Sequence, residues 1–163
     1  MEFVFKDFPL LTDGVIDLLI EQRNPAYPPK AYAPSYHLDI VLHRSKAKVG
    51  KLRLRLGTVD EYPKLLTSGH IGYEVDEPNR GHGFAARACL LSKKIALAHG
   101  FNKLIITCNP DNVASRKTCE RVGATLSGIF DVPKDHEMYQ KGRRKVCRYE
   151  WAIEDTPAVA RFP

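Results

Sequence analysis

The chain has 163 residues, 44% hydrophobic and 27% charged, a composition typical of one globular domain with a single core. Its formal net charge of +6 raises the question of nucleic acid, but the best local evidence, the basic cluster at residues 141–145, also fits a solvated lead-in to a strand, so that partner is disfavoured. No apolar run could span a bilayer, and Lys6 and Asp7 interrupt the start, so we expect one domain over residues 1–163, in the cytoplasm and without a membrane partner.

The first part of the chain predicts three strands and one helix. Thr12 and Asp13 are typical helix N-caps, and residues 36–43 and 48–56 alternate in polarity as strands do. The Pro- and Tyr-rich segment at 25–36 is too aromatic for a disordered tether, so we expect an ordered loop. In chain order the predicted elements are a strand at 3–5, a helix at 12–21, strands at 36–43 and 48–56, and a loop at 57–69.

Two glycines, Gly81 and Gly83, join a predicted strand at residues 71–75 to a predicted helix that ends before Gly100. Glycine adopts positive φ without strain, and the first N–H groups of a helix are free to bind an anion. A P-loop and a dinucleotide fingerprint are excluded, because no Lys-Ser/Thr pair and no third glycine follow; a simple turn remains the alternative. The predicted apolar stripe of the helix consists of Phe84, Ala88, Leu91, Ile95 and Ala98.

A second strand and helix follow in the same order. Residues 104–108 are an apolar run typical of a buried strand, and Asn112 is a predicted N-cap of a helix that Gly123 ends. Capping alone would account for both Asn112 and Ser115. Strands are predicted at 124–130 and 144–154, which gives an α/β (α+β) fold with helices on both faces of a mixed central sheet. The four cysteines form no C-x-x-C pair, so we expect free thiols.

These two segments carry a family resemblance. Arg80, Gly83 and Ala85 fit the pattern Q/R-x-x-G-x-G/A, and Asn112 with Ser115 fits N-x-x-S at the start of the next helix. The chain therefore resembles the GNAT superfamily of acetyl-CoA-dependent N-acyltransferases, within it the RimJ/RimL-type branch of ribosomal-protein-alanine acetyltransferases. The resemblance is specific over residues 69–123 and rests on element order elsewhere. It implies a GNAT-like acyl-CoA N-acyltransferase fold with a mixed sheet of about six to seven strands.

The resemblance implies acetyl-CoA as cosubstrate and no metal. The pyrophosphate would lie on the backbone amides of residues 82–85, and the pantetheine arm between the strands at 71–75 and 104–108. A backbone N–H near residues 73–75 would donate to the thioester carbonyl. The candidate cations for the ribose phosphate are Lys93, Lys94, Arg116 and Lys117, of which Lys117 is favoured. The implied coenzyme-binding residues are Tyr73, Val75, Arg80, Gly81, His82, Gly83, Phe84, Ala85, Asn109, Asn112, Ser115 and Lys117.

Transfer to an amine needs a proton acceptor, because an alkyl ammonium titrates near about pH 10. Strand alternation places His70, Gly72 and Glu74 on one face beside the coenzyme, which makes His70 and Glu74 candidate bases. A surface histidine and an ion-paired glutamate are the structural alternatives. Many relatives protonate the leaving thiolate with a Tyr on the second helix. Cys119 stands at that position here, so the candidate acids are Ser115 and solvent water.

The acceptor is the least constrained part of the function. Four residues, Asp131, Asp135, His136 and Glu137, could attract a cationic amine, and a solvated polar loop is the alternative. A peptide N-terminus, a protein lysine, a polyamine and an antibiotic amine all remain open. We favour an N-acetyltransferase over a non-catalytic acyl-CoA binding or sensing module and over a nucleic-acid-binding domain. A homodimer is compatible with the long last strand, and residues 156–163 are expected to dock on a partner or to fray.

Overall fold

A computed structural model describes residues 2–154 of the chain. Within them lies one eight-stranded sheet in the order β1-β2-β3-β4-β5-β6-β8-β7. The strands are β1 (Leu11–Thr12), β2 (Ile16–Asn24), β3 (Ser35–Leu42), β4 (Lys48–Arg55), β5 (Ile71–Val75), β6 (Lys103–Cys108), β7 (Thr125–Asp131) and β8 (Lys145–Ala152). The α-helices are α1 (Leu65–Ser68), α2 (Phe84–Ala98), α3 (Val113–Val122) and α4 (Glu137–Gln140).

All neighbouring strands pair antiparallel except β5 and β6, which are parallel. The connection between these two strands contains α2, the crossover helix that a parallel pair needs. Their register has a single position, Ile71 opposite Ile106. The mixed sheet is thus two antiparallel halves joined by one short parallel contact.

Helices lie on both faces of the sheet, as predicted. Tyr73 of β5 contacts Ser115 of α3, and α2 packs against β5 and α3, so α2 and α3 share one face. On the other face the Thr107 hydroxyl of β6 donates to the Thr67 carbonyl oxygen of α1 at 2.7 Å. The core is formed where the apolar side chains of β2 to β6 and β8 meet α2, including the fully buried Trp151.

The prediction of a helix at 12–21 is wrong, because this segment forms the hairpin of β1 and β2. Asp13 does cap a backbone turn: its Oδ1 accepts hydrogen bonds from the N–H groups of Val15 and Ile16, both at 2.9 Å. Gly14, at φ 84°, then reverses the chain, and the β-branched residues that follow favour a strand. A side chain that caps a helix can therefore also close a hairpin.

Residues 3–5 are not a strand, although they alternate. Their aromatic rings pack on other rings: Phe3 stacks on His99 with centroids 4.5 Å apart, and Phe5 meets Tyr36 edge-on at 5.1 Å. The Lys6 N–H donates to the Tyr36 hydroxyl at 2.8 Å. The segment is thus held by aromatic contacts rather than by ladder hydrogen bonds.

The remaining elements lie close to their predicted positions, with three adjustments. The Pro-rich loop connects β2 to β3, since no helix precedes it, and the predicted loop at 57–69 contains α1. Ala98 of the predicted stripe is exposed; Cys89, Ser92 and Ala96 complete the buried face of α2 instead. The expectation for residues 156–163 lies outside the described residues. No helix in residues 2–154 combines the length and the apolar character needed to cross a membrane.

Candidate active site

The sheet opens between β5 and β6. The Asp76 N–H donates to the Val49 carbonyl oxygen at 2.8 Å, so the even-numbered residues of β5 pair with β4. The backbone groups of Tyr73 and Val75 therefore face the β6 side, where the register has no partner beyond Ile71. Since parallel strands end at the same edge, the gap opens towards the loops that lead into α2 and α3.

The loop before α2 has the backbone that the glycine pattern predicted. Gly81 has φ 88° and Gly83, the N-cap of α2, has φ 75°, values in the left-handed region that favours glycine. Arg80 fixes the loop to the strand, because its Nε donates to the Val75 carbonyl oxygen at 2.8 Å. The first turn of α2 contains no acidic residue, so its free N–H groups present positive potential.

The loop before α3 is built from two asparagines. Asn112 Oδ1 accepts a hydrogen bond from the Ser115 N–H at 3.0 Å, which confirms Asn112 as the N-cap. Asn109 Oδ1 accepts from the Asp111 N–H at 3.0 Å, and the Asn109 carbonyl oxygen accepts from the Asn112 N–H. These bonds place the start of α3, with Ser115, beside the gap.

The Tyr73 hydroxyl lies 2.6 Å from Ser115 Oγ, so a strand residue and a helix residue share one hydrogen bond. Burial, together with the neighbouring thiols, raises the pKa of Tyr73 well above its ordinary value. Tyr73 is thus a neutral phenol that keeps its proton. Ser115 is itself buried, which protects this pair from bulk water.

His70 closes the narrow end of the gap. Its Nδ1 accepts a hydrogen bond from the Ile105 N–H at 2.8 Å, and its Nε2 lies 2.9 Å from the Gly57 carbonyl oxygen. This pair of partners requires a neutral ring with the proton on Nε2. Burial lowers the pKa of His70, in agreement with a neutral ring. Both ring nitrogens are therefore engaged by backbone groups.

The family model of the acetyltransferase (GNAT) domain matches residues 10–125. The chain belongs to this GNAT family. It therefore carries an acetyltransferase domain, and the glycine loop, the gap and the Asn112 cap are parts of that domain. No curated protein sequence matches the chain.

Solved structures show the same fold at low sequence identity. The ribosomal-protein-S5-alanine acetyltransferase from Vibrio fischeri has TM-score 0.57 and 20% identity, over 76% of this chain and 64% of that chain. RimJ of Mycobacterium smegmatis in complex with CoA-disulfide has TM-score 0.56 and 22% identity, over 76% of this chain and 55% of that chain. The microcin C7 self-immunity acetyltransferase MccE in complex with acetyl-CoA and AMP has TM-score 0.55 and 21% identity, over 73% and 61%. This chain thus spans less than two thirds of these three proteins.

Cys119, at the position where many GNAT proteins have a tyrosine, is fully buried in α3. A hydrogen bond with Cys108 and burial both raise the pKa of Cys119, while a hydrogen bond with Tyr73 lowers it. The phenol of Tyr73 therefore lies next to the side chain that stands in the place of the family's tyrosine. The sequence motifs predict a role only for the backbone of Tyr73, but its strand parity with Ile71 and Val75 also predicts which face its side chain occupies.

Glu74 lies on the opposite face of β5 from Tyr73. Its side chain is 64% exposed, and its Oε2 is 3.8 Å from Lys51 Nζ of β4. His70, predicted on the same face, precedes the strand and turns into the sheet. Of the two candidate bases, Glu74 alone has a carboxylate or ring nitrogen open to solvent.

The cations and anions predicted near the site differ in their availability. On α3, Lys117 is exposed, whereas Arg116 Nε donates to the Tyr149 hydroxyl at 3.1 Å. Two of the acidic residues in the segment 131–137 already have partners within the protein. Asp131 pairs with Lys145, and both carboxylate oxygens of Glu137 lie 2.8 Å from the Tyr32 hydroxyl. The segment's remaining members are the exposed Asp135 and the buried His136, whose Nδ1 accepts from the Met138 N–H.

Replacing His70 with Ala should destabilise the fold, because the Ile105 N–H and the Gly57 carbonyl oxygen would lose their partner in a buried site. We expect the free energy of unfolding in urea to fall by about 2–4 kcal/mol at pH 7. The folded pKa is lowered from 6.5, so the wild-type stability from this ring is present above pH 6.5 and declines as the pH falls.

The matched control is His37→Ala, since His37 is only half-buried and its Nε2 has one side-chain partner, Asn24, at 2.9 Å. We expect this variant to lose less than about 1 kcal/mol. Equal losses in the two variants would contradict the role of His70 as the closing contact of the gap.

Proposed function

We propose that this GNAT domain transfers an acetyl group from acetyl-CoA to a primary amine by direct attack in a ternary complex. The observation that carries the proposal is that the glycine loop before α2 and the unpaired backbone of β5 lie at the same edge of the gap. The loop offers N–H groups for a pyrophosphate, and the strand offers N–H groups for a thioester carbonyl. The cytoplasm remains the expected compartment.

The N–H groups of residues 82–85 are the proposed pyrophosphate site. A Cβ at Gly81 would have no heavy atom within 4 Å, so the space in front of the loop is open. Lys117 is the proposed contact for the ribose phosphate. Asn109, Asn112 and Ser115 would line the pantetheine arm. The acetyl-CoA in the MccE structure and the CoA-disulfide in the RimJ structure support this choice of cosubstrate.

The N–H groups of Tyr73 and Val75 are the proposed donors to the thioester carbonyl oxygen. Strand parity aims them into the gap, where no strand competes for them. Donors held by a sheet need no reorganisation as negative charge develops on the oxygen. Arg80 contributes by holding the Val75 carbonyl group, and thus the end of β5, in place.

Tyr73 and Ser115 are the proposed proton donors to the leaving thiolate. Tyr73 keeps its proton at neutral pH because burial raises its pKa, and Ser115 Oγ shares a hydrogen bond with it. Either hydroxyl can therefore pass a proton along the pair. Tyr73 of β5 would thus replace the tyrosine that many GNAT proteins have on α3, where this chain has Cys119.

Glu74 is the proposed base, acting on the amine directly or through water. Its carboxylate is exposed on the face of β5 opposite α2 and α3, where an acceptor can approach without crossing either helix. We no longer propose His70 as a base, because backbone groups engage both of its ring nitrogens. Catalysis would thus use both faces of one strand.

Gly83→Glu should abolish coenzyme binding for two reasons. Its carboxylate would lie where the pyrophosphate would bind, and a non-glycine residue at the positive φ of Gly83 would strain the loop. We expect the Kd for acetyl-CoA, measured by calorimetry, to rise by about 100-fold or more. Gly100→Glu is the matched control: it has φ 86°, open surroundings and a position at the other end of α2.

Gly100→Glu should bind acetyl-CoA as the wild type does. Unchanged binding by Gly83→Glu, or no binding by the folded wild type, would contradict the proposed coenzyme site. Tight binding without acetylation of any primary amine would instead favour the sensing module.

Tyr73→Phe removes one hydroxyl and should slow turnover while leaving the coenzyme bound. We expect kcat, followed by release of free CoA thiol, to fall by about 10- to 100-fold, with the Kd for acetyl-CoA nearly unchanged. Tyr149→Phe is the control, since it removes the hydroxyl of a buried tyrosine outside the gap, one that accepts a hydrogen bond from Arg116 Nε. Equal kcat values for the two variants would remove the phenol from the mechanism.

Glu74→Gln keeps the size of the side chain but removes its ability to accept a proton. We expect kcat/KM for the amine to fall by about 100-fold at pH 7 and to recover partly at higher pH, where more amine is neutral. Glu150→Gln makes the same change in another exposed strand pair, with Lys103 Nζ at 3.2 Å, and should be neutral. A Glu74→Gln enzyme with wild-type kcat/KM at pH 7 would show that water alone accepts the proton.

A further inference from the structure

The face of the sheet opposite α2 and α3 carries a row of cations. Lys51, Arg53 and Arg55 alternate along β4 with buried leucines, so all three side chains share this face. Cross-strand pairing places Arg53 beside Gly72 of β5 on one side and beside His37 of β3 on the other. The row therefore borders the strand that faces the gap.

The carboxylates near this row are already paired with lysines. Asp39 Oδ1 lies 3.1 Å from Lys48 Nζ, and Glu74 lies near Lys51. Within residues 2–154, no carboxylate lies within 4 Å of the Arg53 or Arg55 guanidinium. Arg55 Nη1 instead donates to the Gly69 carbonyl oxygen at 3.2 Å.

The two guanidinium groups repel each other in a partly dehydrated place. Arg55 is half-buried, and burial followed by the charge of Arg53 lowers its pKa to about 10. Burial, Arg53, Arg55 and Lys51 also lower the pKa of His37, so the ring stays neutral and adds no further positive charge. A half-buried cation without a counter-ion is costly in a folded protein, and an anionic ligand would remove that cost.

Gly72 places this charge close to the reacting region. A Cβ on Gly72 would lie 3.5 Å from Arg55 Nη1 and 3.7 Å from Nη2, so the guanidinium lies directly over this glycine. The next residue, Tyr73, directs its backbone N–H into the gap. An acceptor could therefore place an anionic group on Arg55 and, a few covalent bonds away in the same molecule, an amine in the gap.

We propose that the acceptor amine carries an oxyanion, a carboxylate or a phosphate, which Arg53 and Arg55 bind. The planar guanidinium fork matches both groups with two parallel hydrogen bonds. This inference rests on the proposed function, because it assigns the acceptor of the same site. It also disfavours the possibility that acidic residues at 131–137 recruit a cationic amine, since Asp131 and Glu137 already pair with Lys145 and Lys64.

The test compares four tetrapeptide amides with a free N-terminal alanine and two central glutamates, glutamines, lysines or phosphoserines. We expect kcat/KM for the glutamate or phosphoserine peptide to exceed that of the glutamine peptide by about tenfold, with the lysine peptide lowest. The better of the two anionic peptides tells whether the site prefers a carboxylate or a phosphate.

Arg55→Gln should remove this preference, and Arg55→Lys, which keeps the charge, should restore part of it. Arg44→Gln is the control for net charge, because Arg44 is exposed in the turn between β3 and β4. The Kd for acetyl-CoA should be the same in all three variants as in the wild type, and a cooperative thermal unfolding transition shows that each variant is folded. Equal use of the four peptides, or preference for the lysine peptide, would overturn the inference and leave the proposed function intact.

A second readout separates the inference from catalysis. Calorimetry measures binding of each peptide to protein saturated with CoA, which cannot transfer an acetyl group. If no peptide is acetylated, the proposed function fails for these amines, and binding alone decides the inference. Anionic peptides that bind the wild type about tenfold more tightly than Arg55→Gln support it, and equal binding to both proteins overturns it.

Discussion

The rest of the site depends on one constraint, the pairing of β5 with β6 at a single position. His70 maintains this junction by binding backbone groups of two segments, the Ile105 N–H and the Gly57 carbonyl oxygen. The sheet is continuous there, so the core can pack beneath it, and beyond Ile71 the strands separate. A continuous ladder would consume the N–H groups of Tyr73 and Val75. Because the ladder stops after Ile71, the middle of the sheet has backbone N–H groups that no neighbouring strand binds.

The period of two along β5 divides the proposed chemistry between the faces of the sheet. Tyr73 points to the face covered by α2 and α3, where the glycine loop and the Asn112 cap provide backbone donors. Gly72 and Glu74 point to the other face, which β3 and β4 line with polar side chains. Two ligands can then meet in the gap from opposite sides. The proposed coenzyme and acceptor sites would share only β5, with α2 and α3 on one face and β3 and β4 on the other.

The sequence predicted the loops before α2 and α3 well because their signals are local. Gly83, Asn112 and Gly123 lie at helix ends, and each acts through its own backbone or through residues three or four positions away. The acceptor side depends on contacts that sequence distance hides. His70 is a candidate base in the sequence because its partners, Gly57 and Ile105, are remote in the chain. Asp13 predicts a helix because the same side-chain cap occurs at the start of a helix and in the turn of a hairpin. The alternation of Lys51, Arg53 and Arg55 is visible in the sequence, but only the fold shows that, within residues 2–154, Arg53 and Arg55 have no carboxylate within 4 Å.

The cations on β4 also bear on how an exposed carboxylate could serve as base. Glu74, the proposed base, is mostly solvated and lies on the same face as these cations, with Lys51 Nζ 3.8 Å from its Oε2. An amine held near Arg53 and Arg55 by its own oxyanion would experience the same positive charges, and nearby cations lower the pKa of an ammonium group. Each pKa unit so lost raises the neutral fraction about tenfold at neutral pH. Recognition of the anion and activation of the amine would then both result from the charges of Arg53 and Arg55, so that the base would act on an amine that is already partly deprotonated.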